Sequence, residues 1–142
     1  MWVVVAESTS FVEETTMTRF AFDHVHLRSP DPDATGAWFV DHLEAKQKGR
    51  QEGPNSLRVV LDLGGLNLFI DRVPATTPGT PPAPFLGIEH LAVAVTGIDE
   101  IIEEMRGEGV RVVVEPLDAR PGVRIAFIEG PENVRVELLE RS

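Results

Sequence analysis

The sequence predicts an α+β fold made of two tandem copies of one strand–helix–strands module. Three observations predict it. The order of elements read from hydrophobic periodicity occurs once in each half of the chain. A segment with five prolines in thirteen residues, VPATTPGTPPAPF, stands between the halves. The first strand of each half also carries the same local frame: apolar, acid, histidine, apolar in FDHVHL (22–27) and again in IEHLAV (88–93). With 142 residues the chain is long enough for one domain whose core is shared by two halves.

Residues 1–18 have no sustained period and are expected to be an N-terminal extension, with Met17 standing just before the first well-patterned strand. The first module spans 19–73. FAFDHVHLRS alternates as a strand does, with Val25 and Leu27 on one face and His24, His26 and Arg28 on the other. SPDPDATGAWFVDHLEAK starts a helix: Pro and Asp crowd its first turn, and Ala34, Trp38, Phe39 and Leu43 form its apolar side. SLRVVLDL and LNLFID are two strands joined by Gly64–Gly65, a dipeptide suited to a tight hairpin. A third strand would be needed around AKQKGRQ, where the pattern is weak.

The linker, 74–86, is too rich in proline for a helix or a central strand. The second module, 87–142, opens with the strand IEHLAVAV. Ile98, Ile101, Ile102 and Met105 then make one helical stripe that ends near Gly107. VRVVVEP, GVRIAFIEG and NVRVELLE are three further strands, with GPEN as the turn between the last two.

Composition excludes several classes. A formal charge of −10 disfavours nucleic acid and anionic membrane surfaces as partners. No apolar run approaches the ~20 residues of a bilayer span, and MWVVVAESTS lacks the basic start of a signal peptide, so a cytoplasmic address is expected. Without cysteine, any metal site must use His, Asp, Glu or amides.

A single histidine on a strand is ordinarily a hydrogen-bonded structural residue. The repeat changes that reading, because residues at one slot of two duplicated strands can converge on a shared cavity. Glu137 adds a third candidate: alternation sets it with Arg135 opposite Val134, Val136 and Leu138. His24, His90 and Glu137 together would make a two-histidine, one-carboxylate set with open positions for substrate.

The chain resembles the vicinal oxygen chelate superfamily, which includes glyoxalase I, methylmalonyl-CoA epimerase, extradiol dioxygenases, fosfomycin-resistance enzymes and bleomycin-resistance proteins. The resemblance rests on DHVHLRSPDPDATGAWFVDHL, EHLAVAVTGIDEIIEEMRGEGV and RPGVRIAFIEGPENVRVELLE, and covers about residues 20–142. It implies paired βαβββ modules whose curled mixed sheets form a cup around one divalent metal ion, whether Zn, Ni, Co, Mn or Fe. It also implies a homodimer, with the cup completed within one chain or between two.

Carried over by position, His24, His90 and Glu137 match the family's ligands. The fourth falls in LNLFID, where polarity selects Asn67, counting from the turn selects Phe69, and Asp71 lies on the same face. The implied activity is isomerase, epimerase or lyase chemistry on a small oxygen-chelating substrate, with Glu137 or His26 as the acid/base and Arg28 and Arg124 as substrate contacts. Extradiol dioxygenase chemistry is disfavoured, since members of that type use a tyrosine and this chain has none. The alternative is non-catalytic binding of a small molecule, as in the bleomycin-resistance branch.

Overall fold

The computed structural model describes residues 18–142. The expected extension over 1–18 therefore lies, but for its last residue, outside the described residues. The first module consists of β1 (Val25–Ser29), α1 (Pro32–Leu43), β2 (Lys46–Gly53), β3 (Ser56–Leu63) and β4 (Leu66–Arg72). The second consists of β5 (Leu91–Ala94), α2 (Ile98–Gly107), β6 (Arg111–Arg120), β7 (Val123–Glu129) and β8 (Arg135–Arg141). Each is a βαβββ unit with a four-stranded mixed sheet, ordered β1-β4-β3-β2 and β5-β8-β7-β6. The β1–β4 and β5–β8 pairs are parallel and the others antiparallel. A single turn of 3₁₀ helix over Pro131–Asn133 joins β7 to β8.

The strand missing from the first half is β2, which covers the AKQKGRQ region. It is an edge strand on which only Gly49 and Gly53 are half-covered, so backbone pairing with β3 holds it and no apolar alternation marks it. β3 shows the contrary pattern. Leu57, Val59, Leu61 and Leu63 are buried, and the residues between them are not. Gly64 and Gly65 both have positive φ, 57° and 98°, as a tight hairpin turn requires.

Asp31 starts α1 by accepting the Ala34 N–H at 3.1 Å, with Pro32 at the first helical position. The buried face differs from the expected one: Thr35, Gly36 and Phe39 are covered, and Ala34 is exposed. Gly36 explains the shift. A Cβ at this position would stand 3.1 Å from Val59 Cγ1, so its absence lets the helix approach β3 along that line. α2 packs as its stripe predicts, burying Ile98, Ile102 and Met105 against Ala126, Ile128, Val136 and Leu138.

Each module has its own core, and the two cores meet. Trp38, Leu43, Val93 and Val134 pack against both. Trp38 thus serves the joint between modules as well as the core under its own helix. At the same joint the His42 Nδ1–H donates to Glu108 at 2.7 Å, tying the end of α1 to the end of α2. β1 borders one depression with Val134, just ahead of β8, and the end of β5 and the Leu63–Gly64 turn border another. Among the described residues, no helix is long and apolar enough to cross a membrane.

Candidate functional site

Each sheet has one face against its helix and one open face. Directly paired residues share a face, so the register sets His26, Phe69 and Val60 in one row across the open face of the first sheet. Arg28, Asp71 and Arg58 make the next row. In the second sheet the row that corresponds to His26–Phe69–Val60 is Ala92–Glu137–Phe127. Glu137 is thus matched in the first module by Phe69, the residue that counting from the turn selects.

Both histidines precede their strands by one residue instead of lying within them, as the alternation had suggested. His90 Nε2 is 2.8 Å from Glu137 Oε2, and the Glu137 side chain is only 13% exposed, so it is no solvent-facing end of a terminal strand. The His90 ring stands edge-on to Phe127, over which the Arg135 guanidinium also lies. In the first module the His24 ring is stacked on Phe69, with centroids 4.1 Å apart and planes 11° from parallel, and Arg58 lies over the same phenyl ring.

His26 Nε2 is 3.0 Å from Asp71 Oδ2, and Arg58 grips Asp71 with two hydrogen bonds of 2.7 and 2.8 Å. The Arg58 guanidinium, with His26 as a lesser contributor, holds the Asp71 carboxyl below the ordinary carboxylate range. Asn67 is on the open face but engaged. Its Oδ1 accepts from Lys48 Nζ at 3.1 Å, and its Nδ2 donates to the Asp23 carbonyl at 3.2 Å. Arg28 shares a face with His26 and makes no ion pair among the described residues. Arg124 does not reach the open face. It alternates with Ile125 on β7, and it is tied to Asp99 at the start of α2 and to Asp118, which raise its pKa.

For a divalent ion, these donors fit in kind. Two imidazoles and a carboxylate are what Fe(II), Mn(II), Co(II), Ni(II) and Zn(II) accept. The second module presents two of them side by side, and the first presents His24 with a phenyl ring where the second carboxylate would be. Among the described residues of one chain, no three His, Cys, Asp or Glu side chains converge to hold an ion.

Two residues that the sequence reading did not single out are Asp23 and Glu89. His24 Nδ1 is 2.5 Å from Asp23 Oδ2, and His90 Nδ1 contacts Glu89 in the same way. Their signal was present in the repeated acid–histidine frame. Regular strand alternation, however, sends neighbours to opposite faces and hides such a contact.

The family model of the Glyoxalase/Bleomycin resistance protein/Dioxygenase superfamily matches residues 21–138. The chain is 26% identical over 123 residues to the uncharacterized protein YwkD of Bacillus subtilis (strain 168), covering 83% of this chain and 94% of that one. Among solved structures it is similar to the glyoxalase family protein from Enterococcus faecalis, with a TM-score of 0.72 at 27% identity over 87% of this chain and 100% of that chain. The fold also matches the fosfomycin resistance protein FosX from Listeria monocytogenes, with a TM-score of 0.69 at 18% identity over 88% of this chain and 96% of that chain. With two βαβββ units in sequence and a family match over most of its length, the chain belongs to the glyoxalase/bleomycin resistance protein/dioxygenase superfamily.

Proposed function

We propose that the chain is a metal-dependent lyase or isomerase of the glyoxalase type, acting as a homodimer on a small substrate that presents two adjacent oxygens. The observation that carries the reading is the His90 Nε2–Glu137 Oε2 pair, two donors of the right kind 2.8 Å apart on a largely covered part of the second sheet. The third ligand in this reading is the partner's His24, since His24 of the same chain does not join the pair. Asn67 is left out of the ligand set because both its polar atoms are engaged. An ion held by these residues would polarise the substrate oxygens and favour negative charge developing on them.

The chain's own groups supply the rest. A carboxylate only accepts, so the His26 Nε2–H donates to Asp71 and Nδ1 is left to take up a substrate proton. Arg58 fixes Asp71, and through it the imidazole. Arg28 borders a depression of about 500 Å³ beside Thr77 and Thr80 of the linker, and is available for a substrate carboxylate or phosphate.

A second reading, sequestration of a ligand without chemistry, is favoured by one observation. Phe69 in the carboxylate's slot, with His24 flat upon it, makes an aromatic surface suited to a planar ligand.

Elemental analysis of untagged, chelator-free protein separates the two. The enzyme reading expects a divalent ion in the wild type that is lost in a His90→Ala, Glu137→Ala double variant. Wild-type protein that takes up no Mn(II), Fe(II), Co(II), Ni(II) or Zn(II) would overturn it in favour of sequestration.

A further inference from the structure

We infer that Asp23 and Glu89 are positioning residues that fix His24 and His90 as Nε2 donors to a divalent ion. The inference rests on the metal-dependent reading and assigns a role to two residues outside its ligand set.

The geometry is the same in both modules although the parts differ. In a regular strand, side chains of adjacent residues point to opposite faces and do not touch. Here β1 begins at Val25 and β5 at Leu91, so each acid–histidine pair stands just ahead of the pleat and the acid can fold back on the ring. In both cases it meets the same nitrogen, Nδ1. A carboxylate accepts only, so Nδ1 carries the proton in both rings, and the remaining nitrogen, Nε2, is the one directed to a ligand. In His90, Nε2 is the nitrogen that faces the other proposed ligand, Glu137.

The support for each acid is matched as well. The β1–β4 register, extended one step from Val25–Leu68, places Asn67 across from His24. The β5–β8 register, extended from Leu91–Val136, places Arg135 across from His90. Asn67 Nδ2 holds the Asp23 carbonyl at 3.2 Å, and Arg135 Nη1 holds the Glu89 carboxylate at 2.6 Å. Equivalent positions on β4 and β8 thus anchor the acid that orients the histidine, one through its backbone and the other through its side chain. An incidental surface ion pair would not be expected to appear twice with the same nitrogen and the same anchoring position.

A carboxylate on the far nitrogen makes the imidazole a better donor and removes its rotational freedom, and losing it ordinarily costs about 10–100-fold in metal affinity. The test is Co(II) affinity, by competition against a chelator, for wild type, Asp23→Asn, Glu89→Gln and the exchanged acid Glu89→Asp, with thermal unfolding of each metal-free protein alongside. The expected result is a loss of about 10–100-fold in both amide variants at nearly unchanged unfolding temperature, with Glu89→Asp recovering most of the affinity. Wild-type affinity in both amide variants would overturn the inference and leave the metal reading standing. Equal weakness of Glu89→Asp and Glu89→Gln would overturn it too, since Asp23 makes the same contact with the shorter side chain. Absence of Co(II) binding in the wild type would overturn both this inference and the function on which it rests.

Discussion

Gly130→Ala tests the joint between the two modules. Gly130 ends the β7 side of the 3₁₀ turn, and its φ of −94° is open to any residue, so backbone strain plays no part. The obstacle is space. A Cβ would stand 3.1 Å from both Cη2 and Cζ3 of Trp38 and 3.3 Å from the Val134 carbonyl, which is itself held by the Gly130 N–H at 2.8 Å. The carbonyl cannot retreat without losing that bond, so the indole must give way by a few tenths of an ångström, and it is packed between both cores. Overpacking of this kind costs about 1–3 kcal/mol, which is roughly 3–10 °C in Tm for a chain of this size. Urea unfolding of wild type, Gly130→Ala, Trp38→Leu and the double variant measures it as a cycle. The glycine substitution should cost roughly 1 kcal/mol or more in the wild type and markedly less where the indole is gone. Equal cost in the two backgrounds would mean that Trp38 does not press on the β7–β8 turn, and the joint described above would be wrong.

Two further outcomes are expected. Asp71→Asn removes a carboxylate that Arg58, and secondarily His26, hold below its unfolded value of 3.8, so the stabilisation is complete above that value and is lost as pH falls through the folded one. The variant should be less stable than wild type at pH 7 by urea unfolding, with the difference narrowing as pH falls below about 4 and through the lowered folded value; a gap that stays constant as the wild type is taken through its acid unfolding would show that the pairing is not its source. Phe69→Glu places an acid at the register position that matches Glu137 and should tighten divalent-ion binding by about tenfold or more, about 1.4 kcal/mol, when titrated by calorimetry. Unchanged or weaker binding would mean that the two slots do not face a common ion.

The duplicated architecture was legible because strands and helices announce themselves by period. β3, β4, β7 and β8 alternate, and α2 carries a clean stripe over Ile98, Ile102 and Met105. β2 was faint for the same reason inverted: an edge strand with almost every residue exposed has no buried face to write into its sequence. His42 went unmarked in the sequence, because nothing local signals a side chain whose partner, Glu108, belongs to the other module. Arg124 read as a substrate contact, yet the β7 register turns it toward α2, where Asp99 takes it.

Composition, repeat and motif by themselves determined the class of fold, the family and the kinds of donor available, because these depend on local pattern and on which residues exist. Tertiary structure alone decided how the donors are grouped. Pairing of β5 with β8 brings Glu137 to His90, and the matching register of β1 with β4 gives His24 a phenyl ring in place of a carboxylate. The packing of Trp38, Val93 and Val134 against both cores sets how the two modules meet, and among the described residues of one chain no three donors converge on an ion. Sequence order carries no record of that choice, because a strand's alternation specifies which face a residue occupies and not which neighbour the strand will meet.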